Sequence, residues 1–207
     1  MAHGQRPQTP SLNAGLRRPI ILATASPRRH ALFRAFGIPH RIQVPRVREA
    51  HHEQGHPRRL VRHNALLKAR TVASRRRKGL VVAADTVVVC NGTVFGKPRD
   101  RGEALRMLRA LSGKTHQVYT AVCVVDVDRR KTLLDVATTR VRLRRLSAHA
   151  IAQYVTRTHP WDKAGAYAVQ DPEGMMIDRL HGSLSNVVGL PLDLVERQLR
   201  ACGVRLR

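Results

Sequence analysis

The chain has 207 residues, enough for a sizeable core, and 43% are hydrophobic while only 3% are aromatic. Its 38 Lys and Arg against 14 Asp and Glu give a formal charge of +24, which favours anionic ligands and predicts nonspecific polyanion binding at low salt. No apolar run approaches the roughly 18 residues of a membrane span, and three widely spaced cysteines without a CxxC pair argue against a disulfide framework or a zinc site.

Residues 1–18 are polar, with two Pro and two Gly, and read as a flexible tail; the rest, 19–207, reads as one domain. Arg17 and Arg18 precede an apolar run that stops at Thr24 and Ser26, too short for an export segment, so a cytoplasmic location is expected. Pro19 to Ala25 is a short buried strand. Ser26 then suits a helix N-cap and Pro27 the first helical position, with Ala31, Leu32, Phe33 and Phe36 at helical spacing up to Gly37. Residues 38–45 look extended and 46–56 form a polar, His-rich loop. An amphipathic helix is expected from Pro57 to about Arg77, and a central strand over Leu80 to Cys90. Asn91-Gly92 signals a hairpin into Thr93 to Gly96.

Asp100 and Glu103 form a capping-box-like start to a helix ending near Gly113. Val118 to Val127 and Thr132 to Leu143 read as strands joined by a charged turn at Asp128 to Lys131. Ser147 caps a helix to about Arg157. A Gly-punctuated stretch follows to Gly189, and Pro191 opens a last helix to Ala201. Interleaved helices and strands predict an α/β fold with a mixed central sheet flanked by helices. Cys90 and Cys123 lie in apolar runs and read as small core residues.

Chemistry concentrates in a few places. The turn Ser26-Pro27-Arg28-Arg29 puts free backbone N–H groups, a helix dipole and two arginines between a buried strand and a helix, which suits phosphate. It reads equally as an ordinary cap with two solvated arginines. Asp85 interrupts the apolar run Leu80 to Val89, and a carboxylate there is costly unless paired or bound to metal; a hydrogen-bonded core Asp is the plain alternative. Lys97, in Gly96-Lys97-Pro98, lies close to that strand or simply on the surface. Eleven scattered histidines form no HxxxH or HxH pair on a convincing element. Neither GxxxxGK[ST] nor G-x-S-x-G occurs.

Four segments, in order, resemble the Maf family of nucleotide pyrophosphatases: Leu22–Arg29 (LATASPRR), Ala84–Val88 (ADTVV) with Gly96–Pro98, Asp162–Tyr167 (DKAGAY) through Gln170, and Ser185–Leu192 (SNVVGLPL). The similarity runs from about Pro19 to the C-terminus. It implies a two-lobed, Maf/ITPase-like architecture around a cleft. It also implies hydrolysis of dTTP and UTP, or modified pyrimidine nucleotides, to the monophosphate and pyrophosphate, with Mg²⁺ or Mn²⁺ and a homodimer. By this resemblance Asp85 is the catalytic carboxylate, and Glu49 and Asp85 hold the metal. Ser26, Arg28 and Arg29 bind phosphate, Lys68 and Lys97 line the cleft, and Arg28, Thr86 and Gln170 belong to the dTTP/UTP pattern. Departures from the family are Thr24 for a serine, Arg46 and Arg48 where acidic residues often precede Glu49, and Asp171-Pro172 for a glycine. The rival reading is a catalytically impaired, strongly basic nucleic-acid-binding or regulatory protein on the same fold, motivated by the charge.

Overall fold

The computed structural model describes residues 18–50, 56–169 and 176–206. The expected tail, apart from Arg18, lies outside them, as do residues 51–55 of the His-rich loop and Gln170. In chain order the elements are β1 (Ile20–Ala23), α1 (Pro27–Ala35), β2 (Arg41–Ile42), α2 (Pro57–Ala73), β3 (Leu80–Cys90), β4 (Thr93–Phe95) and α3 (Arg101–Leu111). They continue with β5 (Thr115–Asp126), β6 (Lys131–Leu143), α4 (Ala148–Thr158), β7 (Ile177–His181), α5 (Leu184–Val188) and α6 (Leu192–Ala201). One mixed sheet joins all the strands in the order β2-β1-β3-β5-β6-β7, with β4 also paired to β3. The expected α/β class with a mixed sheet is what the chain forms.

Strand β3 is apolar on both sides because both sides are covered. Leu80, Val82 and Ala84 join Leu22, Phe33 of α1 and Leu194, Val195 and Leu199 of α6 in one core. Val81, Ala83 and Val87 face the opposite way, onto Leu60, Val61, Ala65, Ala69 and Val72 of α2. Farther along the first face, Val88 and Cys90 meet α3 and α4 through Leu108, Leu111, Ile151 and Val155. The long β5–β6 hairpin serves all three cores: Val124, Cys123 and Val118 each belong to a different one. Burial of a Leu or Phe at such positions contributes about 1.5–3 kcal/mol each. Cys90, Cys123 and Cys202 are all buried free thiols, the first two within apolar strands as expected.

The caps follow the sequence closely. Ser26, Asp100 and Ser147 accept hydrogen bonds from the backbone N–H of Arg29, Glu103 and Ala150. The Glu103 carboxylate reaches back to the Arg99 N–H at 2.8 Å, one residue before the expected box partner. The Asn91-Gly92 turn has positive φ at both residues, 48° and 78°, the backbone a two-residue hairpin requires.

Helix α2 ends at Ala73 rather than near Arg77. The residues beyond it, Arg75 to Lys78, are four consecutive cations whose mutual repulsion favours leaving the helix. Gly79 then turns into β3 with φ +108°, and a Cβ there would lie 2.6 Å from the Pro19 carbonyl oxygen. Arg18 fastens this corner to the β5–β6 turn. Its guanidinium donates to Asp126 Oδ2 at 2.9 Å and to Asp128 Oδ2, which also takes the Gly79 N–H at 2.8 Å. Inside the Gly-punctuated stretch the structure adds a 3₁₀ turn at Ala164–Ala166, strand β7 and helix α5, none of which the sequence pattern revealed. Among the described residues no helix is long and apolar enough to cross a membrane.

Candidate active site

The site begins with a gap in the sheet. β1 pairs in parallel with Leu80–Ala83 of β3, and β4 pairs with Val88–Cys90 on the same edge. Ala84 to Val87 therefore meet no strand there, while β5 continues unbroken along the other edge. The chain leaves the carboxyl end of β1 at this gap and enters α1. The carboxyl ends of strands in an open α/β sheet are where ligands characteristically sit. Asp85 and Thr86 occupy the gap and, as consecutive strand residues, project to opposite faces.

On the α2 side, Asp85 is 5% exposed. Lys68 donates to Asp85 Oδ1 at 2.7 Å and to Glu49 Oε2 at 2.8 Å, so its ammonium sits between two carboxylates. Asn64, one helical turn before Lys68, donates through Nδ2 to Asp85 Oδ2 at 3.2 Å. The same amide pairs with both backbone groups of Ala50: Oδ1 accepts its N–H at 2.9 Å, and Nδ2 donates to its carbonyl at 3.0 Å. Burial pushes the Asp85 carboxyl above its ordinary range, and Lys68 only partly offsets it. Burial also acts upward on the half-buried Glu49, but the charge and hydrogen bond of Lys68, with Lys97 adding to them, outweigh it and hold Glu49 below its ordinary range. Lys97 itself is exposed, as are Arg46 and Arg48.

On the other side, the Arg29 guanidinium donates from Nε to Gly189 O at 2.7 Å, from Nη1 to Ala84 O at 2.9 Å and from Nη2 to Thr86 Oγ1 at 2.9 Å. The Ala84 carbonyl is free to accept because no strand covers that edge. Thr86 Oγ1 also lies 3.0 Å from Thr120 Oγ1, which donates to the Asn186 carbonyl. Gly189 ends α5 at φ +109°, and its carbonyl can face Arg29 for that reason. The motif SNVVGLPL thus supplies one backbone acceptor, the Gly189 carbonyl, to Arg29.

Arg28, at the start of α1, faces elsewhere. Its Nη2 donates to the Asp162 carbonyl at 2.9 Å, while Nε lies 3.6 Å from Asp162 Oδ2 and is buried without a hydrogen-bond partner. An orphaned guanidinium N–H beside a helix N-terminus suits a phosphate oxygen. Ser26 closes the turn, its N–H donating to Thr24 Oγ1 at 3.0 Å, so the hydroxyl of Thr24 remains in use.

The structure therefore brings Glu49, Lys68, Asp85, Thr86 and Arg29 to one gap, with the charge of Lys97 reaching Glu49, while Ser26 caps α1 and Arg28 pairs with Asp162. It turns three of Arg29's N–H groups onto protein acceptors, where the sequence suggested that both arginines face phosphate. Asn64 is the partner that sequence reasoning missed. Its signal was a polar residue inside the buried stripe Leu60, Val61, Asn64, Ala65, Lys68, Ala69 and Val72. Chemically the arrangement offers a basic, buried carboxylate beside a cation on one side of the gap and, on the other, a helix N-terminus suited to an anion.

The family model described as "Maf-like protein" matches residues 19–202. A protein of Syntrophomonas wolfei named dTTP/UTP pyrophosphatase is 41% identical over 186 residues, covering 89% of this chain and 98% of its own. A Moorella thermoacetica protein of the same name is 44% identical, covering 89% of this chain and 95% of its own. One from Dictyoglomus turgidum, again of that name, is 37% identical, with coverages of 92% and 100%. Among solved structures, the Ham1 protein of Staphylococcus aureus aligns at 15% identity and a TM-score of 0.42, over 61% of this chain and 72% of that one.

Proposed function

Because the chain belongs to the Maf family, we propose that it is a nucleoside triphosphate pyrophosphatase that splits dTTP and UTP, or modified pyrimidine nucleotides, into the monophosphate and pyrophosphate. The observation that carries the reading is the buried Asp85 carboxylate, 2.7 Å from Lys68 in the gap between β1 and β4. Water attacks the α-phosphorus, the bond to the α–β bridging oxygen breaks, and pyrophosphate leaves. Asp85 orients the water and takes its proton, a task its raised pKa suits. Arg28 and the N-terminus of α1 hold phosphate oxygens through the orphaned Nε and the positive end of the helix dipole. Arg29 braces the turn, and Lys68 and Lys97 offset the negative charge of the triphosphate.

The residues also fit a divalent cation. Two carboxylates already share one cationic group, Lys68 Nζ, at 2.8 and 2.7 Å. No group of three or more His, Cys, Asp and Glu among the described residues adds to them. Mg²⁺ is commonly bound by one or two carboxylates plus substrate phosphates, so Glu49 and Asp85 suffice as protein ligands. Bound there, Mg²⁺ or Mn²⁺ would neutralise phosphate oxygens.

Thr86 and Gln170 are assigned to base recognition, Gln170 because its amide offers both a donor and an acceptor to a pyrimidine edge. A homodimer, which the resemblance implies, and a cytoplasmic location, expected from the short apolar run after Arg18, belong to the same proposal. The names of the relatives do not favour the nucleic-acid-binding rival. The test is product analysis of a nucleoside triphosphate panel with Mg²⁺ or Mn²⁺. Monophosphate and pyrophosphate from dTTP and UTP are expected, with Asp85→Asn at least about 100-fold slower. Near-wild-type turnover in that variant would remove Asp85 from the mechanism.

A further inference from the structure

We infer that Asn64 is a positioning residue that fixes Glu49 opposite Asp85, so that the two carboxylates stay aligned when Lys68 no longer lies between them. The inference rests on the pyrophosphatase reading. Glu49 lies on a segment without regular secondary structure, and neither helix nor strand dictates where its side chain falls. What holds that segment is Asn64, which meets the backbone of the next residue, Ala50, as a neighbouring strand would: it accepts from the N–H and donates to the carbonyl. The second hydrogen of the same amide goes to Asp85 Oδ2. An amide has two donors and one acceptor oxygen, and all three are used here.

The orientation is forced. A flipped amide would set its NH₂ against the Ala50 N–H and its oxygen against both the Ala50 carbonyl and Asp85, three repulsive contacts for three lost bonds. Asn64 is 3% exposed, so water does not substitute for these partners. The contacts form a ring: Asp85 to Asn64, Asn64 to Ala50, Glu49 to Lys68, and Lys68 back to Asp85. Lys68 is the charged side of that ring, and a divalent cation between the carboxylates must displace it. Asn64 is the neutral side, which no cation competes for. It therefore preserves the spacing of Glu49 and Asp85 in both states.

Asn64→Ala tests this in the full chain, with two readouts: steady-state hydrolysis of dTTP, and binding of Mn²⁺ alone followed by EPR. Losing a group that orients metal-binding side chains typically costs about 10- to 100-fold in affinity or activity. The expected result is kcat down by about that factor, KM within about twofold, and the Mn²⁺ dissociation constant up by about tenfold or more. If Asn64→Ala loses its far-UV CD signal, Asn64→Thr replaces it, since its hydroxyl fills part of the volume but cannot reach all three partners. A folded variant with wild-type kcat and Mn²⁺ affinity overturns the inference, while a wild type that splits dTTP leaves the pyrophosphatase reading standing. A wild type that hydrolyses no nucleoside triphosphate with either metal overturns that reading, and the inference with it.

Discussion

Mild acid should weaken the fold through His116 before it weakens it through the carboxylates. His116 is 2% exposed on β5, with Nε2 at 2.7 Å from the Tyr167 hydroxyl and Nδ1 buried without a partner. Protonation would leave an ionised N–H with no acceptor, and burial accordingly lowers the pKa from 6.5 to about 4. The unfolded chain takes up this proton near pH 6.5, the folded one only near pH 4. Stability from this residue is therefore complete above neutrality and falls as the pH drops. Linkage gives a loss of about 2 kcal/mol at pH 5 and about 3 kcal/mol at pH 4. The assay is urea unfolding followed by CD at pH 7.5, 6 and 5, on wild type and His116→Gln. The amide of the variant stays neutral and can still meet Tyr167. Carboxylates held low in the fold, such as Glu49 and Asp126, lose their contribution at lower pH and do so in both proteins. Wild-type stability should fall by about 2 kcal/mol more than that of the variant between pH 7.5 and 5. Parallel pH dependences would refute the argument.

Two further perturbations follow from the geometry. Lys68→Met leaves Glu49 and Asp85 facing each other without their shared cation. Turnover should fall by about 100-fold, and the acid limb of the kcat/KM profile should move to higher pH as Asp85 becomes harder to ionise; an unmoved limb would show that Asp85 is not the titrating group. Gly79→Ala forces a Cβ to 2.6 Å from Pro19 O at φ +108°, and should destabilise the protein by about 2–3 kcal/mol in the same urea assay. A loss below about 0.5 kcal/mol would mean that the corner yields freely.

Strands β1 and β3 were legible because continuous β-branched and aliphatic runs suit strands covered on both faces, and the β5–β6 hairpin because its turn is charged. The caps were legible because Ser26, Asp100 and Ser147 act within three residues of themselves. Strand β7 and helix α5 were not. Each has five residues, too few for a period to show, and β7 is defined by its ladder to β6, with Leu180 opposite Val141. The Arg18 latch joins groups 108 residues apart, a distance over which sequence pattern says nothing. In the site, Asp85 stood out by the cost of burying it and Lys97 by its place after the hairpin, whereas Glu49 and Lys68 were visible only through family resemblance. Asn64 was passed over because an amide in an apolar stripe reads as a neutral interruption until its partners are known.

Arg28 and Arg29 are identical, adjacent and easily read as a pair of equal phosphate clamps. Successive residues of a helix point about 100° apart, however, so one ligand cannot face both. The helix divides the labour. Arg29 spends its donors on Ala84 and Thr86 of β3 and on Gly189 at the end of α5, two segments far apart in sequence, and so braces the gap in the sheet before any nucleotide arrives. On the proposed function the dipeptide is an asymmetric device, one residue for rigidity and one for contact. Exchanging either for lysine would then damage a different property: at 29 the bracing of the gap, at 28 the proposed grip on phosphate.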